Sequence, residues 1–409
     1  MIDFLLRKLL PFALARSMSV VAVPLFQFIL IAFCSREEAG RFYLLASLAL
    51  MASQLADLGV SRAMPVIYAD SDDQMHDCLA EINLLRWFSG LLLGSLFLLF
   101  GQFGQVAWNW HPTGSVLLLL CFGRTILLGH QGYSHARQQF SKLLLGSSVH
   151  FLVVLILSAS FAIAGRFDAS AALICLTAGV WVEIFMLDRP SARTFLKSGY
   201  KWAEAVRYIL PFSKVGVYTA AYNRIESLSA GYLLDAESLG IFGTLDSALR
   251  MASWPLYVGA QAIFPGIRDA VKNRDAAGLS EQSRRYLIVS FILCAVLVVF
   301  CAVAWYFYRP LDWSVQLSVM LLLPALFLSA PYAFLISLYY SLHLERLYAR
   351  FAFLFMVLRC SLAPTLALLW GYVGLSGVHL IVGTVAVAVL WSACLPKLRE
   401  MLAAESVDG

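Results

Sequence analysis

The stretch from Leu10 to Ile67 recurs without a gap two hundred residues later in this 409-residue chain. Leu10-Pro11-Phe12 becomes Leu210-Pro211-Phe212, and Met51-Ala52-Ser53 becomes Met251-Ala252-Ser253. The other identical pairs in this register are Glu37/Glu237, Gly40/Gly240, Phe42/Phe242, Leu45/Leu245, Ser47/Ser247, Gly59/Gly259, Pro65/Pro265 and Ile67/Ile267. Leucine and alanine match easily by chance in apolar sequence, whereas proline, glycine and a Met-Ala-Ser triplet do not. The repeat therefore indicates two homologous halves, a common design of transporters whose substrate site lies between repeats.

The composition places both halves in a membrane. Hydrophobic residues make up 61% of the chain and charged residues only 13%, against about 25% charged residues in soluble proteins. A bilayer-spanning helix needs about 20 mostly apolar residues. Twelve such spans are predicted, at 9–33, 42–66, 84–100, 110–128, 143–164, 169–187, 208–233, 239–264, 286–307, 315–339, 350–370 and 375–395.

These spans predict an all-α polytopic membrane protein with two homologous six-helix halves around a central cavity. The first half covers 1–187 and the second covers 208–409, with a basic cytoplasmic linker at 188–207. Because each half has an even number of helices, the halves share one orientation and are related by an axis along the membrane normal.

The net charge of +5 follows membrane topology and does not indicate nucleic-acid binding. With the N-terminus inside, the cytoplasmic segments hold most of the lysines and arginines, Arg86 among them. The opposite side holds only Arg36, Arg41, Arg166 and Arg309. This asymmetry predicts that both termini are cytoplasmic.

Apart from Arg86 and Arg350, which lie at the cytoplasmic ends of their spans, eleven charged residues fall inside the predicted spans. The cations are Arg16, Arg62, Arg124, Lys214, Arg224, Arg250 and Arg359, and the acids are Asp57, Glu183, Glu226 and Asp246. Each costs about 2.5–3.5 kcal/mol at mid-bilayer, so these side chains are expected to face a protein-lined or watery interior. All but Arg124, Glu183 and Arg359 lie in the first, second, seventh and eighth spans, the corresponding helices of the two halves.

Two interpretations stay open for most of these residues. Arg16, Arg62 and Lys214 lie near the cytoplasmic edge, where a long side chain can extend to the headgroups. Asp246 and Arg250 are four residues apart and could form a purely structural ion pair. Arg224 and Asp57 lie deeper, so they are candidates for a ligand-binding residue and a proton carrier.

Other motifs do not indicate catalysis. Asp70-Ser71-Asp72 imitates the metal-binding Asp-x-Asp of glycosyltransferases, but it lies in a short loop without a nucleotide-sugar domain. The eight cysteines are scattered and are interpreted as free thiols. The seven histidines do not cluster, and neither a Gly-rich phosphate loop nor a Gly-x-Ser-x-Gly motif occurs. We therefore expect a protein that is not an enzyme and has no cofactor and no metal.

The chain resembles Wzx-type polysaccharide flippases of the MOP (multidrug/oligosaccharidyl-lipid/polysaccharide) superfamily. The resemblance rests on Pro11-Phe12, Pro211-Phe212, Gly40-Arg-Phe-Tyr43 and Ala56-Asp-Leu-Gly-Val-Ser-Arg-Ala63. It covers the whole chain in length, helix number and repeat.

This resemblance implies export of an undecaprenyl-diphosphate-linked oligosaccharide across the bacterial inner membrane. Cavity arginines meet the diphosphate in this family, and Arg16, Arg224 and Arg250 fit by helix position. The predicted substrate-binding set also includes Lys214 and Arg62. Asp57, Glu226 and Asp246 are the candidates for proton or ion coupling. The expected partners are the lipid-linked oligosaccharide and membrane lipids, with a polysaccharide polymerase and a chain-length regulator as candidate protein partners.

Three other classes remain as alternatives. A multidrug or cation antiporter of the same superfamily would favour an acidic cavity, whereas cations here outnumber acids within the spans. A major-facilitator transporter would carry a basic loop between its second and third helices, where this chain is acidic at Asp70–Asp77. A polysaccharide polymerase or ligase would need a sizeable extracytoplasmic loop, and the predicted ones are short. Twelve spans rather than fourteen argue against the lipid II flippase branch.

Overall fold

The computed structural model describes residues 23–61, 86–96, 110–136, 139–187, 202–307 and 312–403. All regular secondary structure in these ranges is helical. The helices are α1 (Val23–Phe33), α2 (Arg36–Ala56), α3 (86–96), α4 (Trp110–Ala136), α5 (Phe140–Ile163), α6 (Ala169–Met186), α7 (Trp202–Leu233), α8 (Ala236–Lys272), α9 (Ala276–Phe307), α10 (Trp313–Ser341) and α11 (Glu345–Ala403). Non-helical backbone at Trp370 and Gly371 divides α11 into two helices, which correspond to the last two predicted spans.

The predicted all-α polytopic fold is confirmed. Five helices of the described ranges are long and apolar enough to cross a membrane by length and composition, and they lie in α4, α5, α6, α10 and α11. Many of their large apolar side chains are exposed, as lipid-facing side chains are expected to be. The chain is a multi-pass membrane protein.

The repeat is visible in how α2 and α8 begin. The hydroxyl of Ser35 accepts a hydrogen bond from the backbone N–H of Glu38 at 3.1 Å. The carboxylate of Asp235 accepts one from the backbone N–H of Ser238 at 2.9 Å. Each cap satisfies a backbone donor that the first helical turn leaves without an intrahelical partner. The two helices therefore start in the same register of the repeat.

α2 and α8 cross where two glycines of the repeat meet. A Cβ atom on Gly240 would overlap the carbonyl oxygen of Arg36, and one on Gly40 would overlap the carbonyl oxygen of Ala236. Each glycine thus packs against the residue that lies four positions before the other glycine. Such a reciprocal contact is expected of two elements related by a two-fold axis. Small residues permit such close helix packing in a membrane.

α2 ends at Ala56, although its predicted span runs from 42 to 66. Leu58 and Gly59 adopt left-handed backbone conformations, with φ of 50° and 72°. The hydroxyl of Ser213 in α7 donates to the carbonyl oxygen of Leu58 at 2.5 Å, satisfying a group at the open helix end. A Cβ atom on Gly59 would overlap the backbone of Phe212. The helix stops because α7 packs directly on this turn. The sequence stays apolar beyond the turn, and for this reason the predicted span was longer than the helix.

The described helices pack into two compact units. The first contains α1–α6, α7 up to Gly231 and the start of α8 through Thr244, and the second contains the rest of α8 with α9–α11. α7 begins at Trp202, inside the predicted linker 188–207, whose earlier residues lie outside the described ranges. The division into halves at 187 and 208 concerns sequence homology, and it stays a prediction.

Tyrosine hydroxyls connect the helices of the second unit. The hydroxyl of Tyr286 in α9 lies 2.9 Å from the carbonyl oxygen of Leu256 in α8 and 3.2 Å from that of Ala330 in α10. Tyr339 of α10 donates its hydroxyl to the carbonyl oxygen of Leu390 in α11 at 3.0 Å. Both rings are buried. These bonds fix α8, α9 and α11 around α10, which positions the charged residues of α8 and α11.

Candidate functional site

The structure describes six of the eight predicted site residues. They are Asp57 directly after α2, Lys214, Arg224 and Glu226 on α7, and Asp246 and Arg250 on α8. Arg16 and Arg62 lie outside the described residues.

Asp57 belongs to a buried ion pair. One carboxylate oxygen accepts from the guanidinium of Arg86, and the other accepts from the hydroxyl of Ser61 at 2.6 Å and from its backbone N–H at 3.2 Å. The side chain of Arg86 is 1% exposed and also donates to the carbonyl oxygen of Thr125 at 2.9 Å. A Cβ atom on Gly129 would overlap the guanidinium. Arg86, which the sequence placed in a cytoplasmic segment, is therefore an internal partner of Asp57.

The candidates on α7 differ in exposure. Lys214 is exposed, Arg224 is half-buried and Glu226 is fully buried. Because Arg224 and Glu226 are two residues apart, they point towards different faces of the helix. The neighbouring hydroxyl of Ser227 lies 2.6 Å from that of Tyr43 on α2, which fixes the rotation of α7 within the first unit.

The second unit holds a network of four side chains. Nε of Arg250 donates to Oδ2 of Asp246 at 2.6 Å. Oδ1 of Asp246 lies 3.3 Å from Nε2 of His379, and Nδ1 of His379 lies 2.7 Å from Nη2 of Arg359. Asp246 and Arg359 are buried, and the side chain of His379 is 9% exposed. The side chain of Arg250, in contrast, is 26% exposed. The ion pair considered from the sequence is thus one end of a longer network that reaches both helices of α11.

A second buried cluster surrounds Glu183 of α6. Its carboxylate accepts from Gln131 and from Ser147, both at 2.9 Å, and lies 2.8 Å from Nδ1 of His150. The side chains of Glu183 and His150 are fully buried. Arg124 of α4 lies near enough to interact electrostatically with Glu183. With three polar neighbours around its carboxylate, Glu183 fits a structural role within the first unit.

The exposed charge of the described spans is positive. The four acids in this set are all buried, namely Asp57, Glu183, Glu226 and Asp246. Four of the described cations keep part of their surface exposed, namely Arg124, Lys214, Arg224 and Arg250. Within each unit, the exposed charge of this set is therefore carried by guanidinium or ammonium groups and not by carboxylates.

Metal chemistry finds no support in the part of the chain that the structure describes. No group of three or more histidine, cysteine, aspartate or glutamate side chains there could hold a metal ion.

Sequence reasoning missed three residues that these clusters use: Arg86, His150 and His379. A histidine in the middle of an apolar span was a usable signal, because a polar ring there needs a partner. Arg86 gave no such signal, since a cation at the start of a span normally reaches the headgroups.

The fold is shared with transporters of the MOP superfamily. A multidrug resistance MATE family transporter of this superfamily, in an outward-facing conformation, matches with a TM-score of 0.67 and 13% identity, covering 97% of this chain and 96% of the other. The lipid II flippase MurJ, in an inward closed conformation, matches with a TM-score of 0.71 and 12% identity, covering 97% and 90%.

A third structure of this fold comes from Pyrococcus furiosus. This MOP superfamily transporter, described as having a binding pocket of reverse polarity that suggests a different function, matches with a TM-score of 0.60 and 15% identity, covering 97% and 96%. No protein-family model matches the sequence, and no curated protein is significantly similar to it. At these identities the likeness establishes the fold, which is that of transporters and flippases.

Proposed function

We propose that this protein is a lipid-linked oligosaccharide flippase of the Wzx type. It moves an undecaprenyl-diphosphate glycan, an O-antigen or exopolysaccharide repeat unit, from the cytoplasmic to the outer leaflet by alternating access. One observation carries the proposal: among the described charged residues of the predicted spans, every acid is buried while four cations remain partly exposed. Such a surface favours an anionic cargo.

The chemistry of the cargo fits this surface. Moving a glycan through hydrocarbon requires a hydrated path, whereas the polyprenyl tail can remain in lipid. The diphosphate is the one strongly charged group of such a molecule, and a guanidinium binds phosphate oxygens through two parallel N–H bonds.

Arg250 is the best-placed described residue for this contact. Its Nε is held by the fully buried Asp246 at 2.6 Å, which fixes the plane of the guanidinium. About a quarter of its side chain is nevertheless exposed. An arginine oriented in advance loses less conformational entropy when it binds an anion.

The structural neighbours are consistent with this cargo. One neighbour is a flippase of lipid II, so this fold serves a lipid-linked substrate in at least that protein. The Pyrococcus furiosus transporter is described as having a pocket of reverse polarity, so pocket charge varies within the fold. A cationic site on this scaffold would accordingly distinguish a carrier of anions from a carrier of organic cations.

The proposed energetics follow from the cargo's charge. A diphosphate of about two negative charges moving outward runs down an inside-negative potential, at ~2.3 kcal/mol per charge per 100 mV. We place the protein in the bacterial inner membrane with both termini cytoplasmic. Asp57, Glu226 and Asp246 are the proposed carriers of the proton or ion that resets the empty protein.

The test is a flipping assay in proteoliposomes with a fluorescent undecaprenyl-diphosphate oligosaccharide. Arg250→Gln should slow flipping about 10- to 100-fold, the loss of one charged hydrogen bond worth ~1.5–3 kcal/mol. The matched control is Arg285→Gln, because Arg285 also pairs with an acid four residues earlier, Glu281, but on an exposed surface. The control should flip at the wild-type rate, and an inside-negative potential should accelerate outward movement.

The outcomes separate the competing functions. If the wild-type protein moves no lipid-linked oligosaccharide but exchanges organic cations for protons, the antiporter function replaces the proposal. If cells lacking the protein accumulate unpolymerised repeat units in the outer leaflet, a polymerase or ligase function replaces it. If flipping ignores both voltage and pH gradient, the proposed energetics are wrong.

A further inference from the structure

We propose that His379 is a proton-binding site whose occupancy sets how strongly the second unit binds an anion. The site is the network defined above, in which His379 lies between Asp246 and Arg359 and Arg250 completes the far end. The inference deepens the proposed function and rests on it for the identity of the anion.

The geometry holds the imidazole in one tautomer. Arginine has only N–H donors, so the 2.7 Å contact from Nη2 of Arg359 is a hydrogen bond into a lone pair on Nδ1 of His379. Nδ1 therefore carries no proton. The ring proton lies on Nε2, facing Oδ1 of Asp246 at 3.3 Å. In this state His379 is neutral and Arg359 is locked in place.

A second proton must bind at Nδ1. An N–H on that atom would point at the N–H of Arg359, so the hydrogen bond breaks and two positive charges stand in contact. Arg359 then turns away, while the imidazolium forms an ion pair with Asp246. Because one carboxylate now serves two cations, it holds Arg250 less tightly.

The charged groups that the described contacts place beside the ring are members of the network. Asp246 and Arg250 come from α8, and Arg359 comes from the first helix of α11. α10, which packs against α11, contains no aspartate, glutamate, lysine, arginine or histidine. Its titratable side chains are Tyr332, Tyr339 and Tyr340, whose ordinary titration lies far above that of histidine. Histidine is the side-chain type that ordinarily changes charge between pH 5 and 8, so the imidazole is the group to which we assign the proton.

Proton binding strengthens the site for anions. Two arginines and one aspartate give the network a charge of +1, and the proton makes it +2. An added unit charge about 10 Å from an anion changes affinity by roughly tenfold at an effective dielectric constant of 20. Since linkage is reciprocal, the anion must also promote protonation. A proton is therefore taken up as the diphosphate binds.

The first experiment reads the histidine directly. Histidine labelled with nitrogen-15 in the full-length protein is followed by NMR between pH 5 and 8.5, and His379→Gln assigns the signal. The expected result is an Nε2–H tautomer at high pH that gains a second proton at low pH, and Arg359→Gln should change the Nδ1 signal because it removes the hydrogen bond at that atom. A ring that stays neutral throughout, or that carries its proton on Nδ1, overturns the inference and leaves the proposed function standing.

The second experiment measures binding of an undecaprenyl-diphosphate monosaccharide, whose diphosphate keeps its charge between pH 5.5 and 8. Wild-type affinity should rise about tenfold from pH 8 to pH 5.5 with proton uptake, and His379→Gln should abolish both effects. His343→Gln is the control, because His343 is 78% exposed beside Glu345; it should behave as wild type. Binding that does not depend on pH overturns the inference alone, whereas no binding at any pH overturns the proposed function.

Discussion

At the scale of single residues, the acids of the predicted spans differ in how their charge is compensated. Asp57 has Arg86 and Ser61 as partners, and Asp246 has Arg250 and His379 nearby. Removing one partner of such a buried pair leaves an uncompensated charge and is strongly destabilising. Arg250 combines both properties, since it pairs with the buried Asp246 while about a quarter of its side chain stays exposed.

The Asp57–Arg86 pair gives a stability prediction. Arg86→Met should lower the free energy of unfolding by about 3–5 kcal/mol, because it leaves Asp57 buried without its guanidinium. Thermal unfolding of the purified protein in detergent measures this loss. Asp57→Asn combined with Arg86→Met should recover part of it.

The control for this prediction is Arg285→Met. It breaks an exposed pair with Glu281, which should change stability by less than about 0.5 kcal/mol. If Arg86→Met is no more destabilising than Arg285→Met, the pair does not stabilise the first unit.

At the scale of helices, the crossing of α2 and α8 depends on the absence of side chains at two repeat positions. Gly40 and Gly240 each face a carbonyl oxygen of the other helix. Ser35 and Asp235 cap the two helices at corresponding positions of the repeat, so both glycines lie at the crossing. The repeat is therefore preserved where the backbones touch, even though the charged residues deeper in the helices differ between halves.

This crossing predicts an asymmetry between two glycine substitutions. Gly240→Ala should destabilise the protein by about 1–3 kcal/mol, because the added methyl group overlaps backbone atoms that cannot rotate away. Gly383→Ala is the matched control, since its Cβ would lie 3.6 Å from the nearest atom, in Leu328. The control should be neutral or stabilising by about 0.5–1 kcal/mol. Equal melting temperatures for the two variants would contradict the crossing.

At the scale of the whole molecule, topology gives the most direct test. Cys34 lies in the turn between α1 and α2, which the charge distribution places outside the cytoplasm, and its thiol donates to the carbonyl oxygen of Phe167 at 3.0 Å. Partial burial, followed by the negative charges of Glu38 and Asp168, raises the pKa of this thiol above its usual value. The cysteines whose side chains the structure describes are free, and Cys34 is the exposed one among those six.

An impermeant maleimide should therefore label Cys34 in intact cells. The rate should be low at neutral pH and should rise as pH increases, because a raised pKa leaves less thiolate at pH 7. Cys34→Ser removes this signal. Adding Asn273→Cys to that variant, at an exposed position after α8, should give labelling only after the cells are permeabilised. Labelling of Asn273→Cys in intact cells would reverse the predicted orientation.

The candidate site was predictable only in part. Intramembrane charges can be read from sequence because hydrocarbon makes them costly, so Asp246 and Arg250 were visible as a pair four residues apart. Their connection to His379 and Arg359 was not, since more than a hundred residues separate Asp246 from either partner. Arg86 was counted among the cytoplasmic cations for the same reason, because its partner Asp57 is identified only by packing.

Sequence by itself determined the class of fold, because the lengths of the apolar segments and the two-hundred-residue repeat can be read from the chain without knowledge of its contacts. It did not determine where α2 and α8 begin, because the predicted spans start at 42 and 239 whereas the helices begin at Arg36 and Ala236. Only the tertiary structure decided that α2 stops at Ala56, that these acids are buried while four of the cations stay partly exposed, and that His379 joins the charges of α8 to Arg359. Those features depend on contacts between side chains of different helices. The energy of such a contact is set by the distance between the groups in space, which cannot be read from their separation in the sequence.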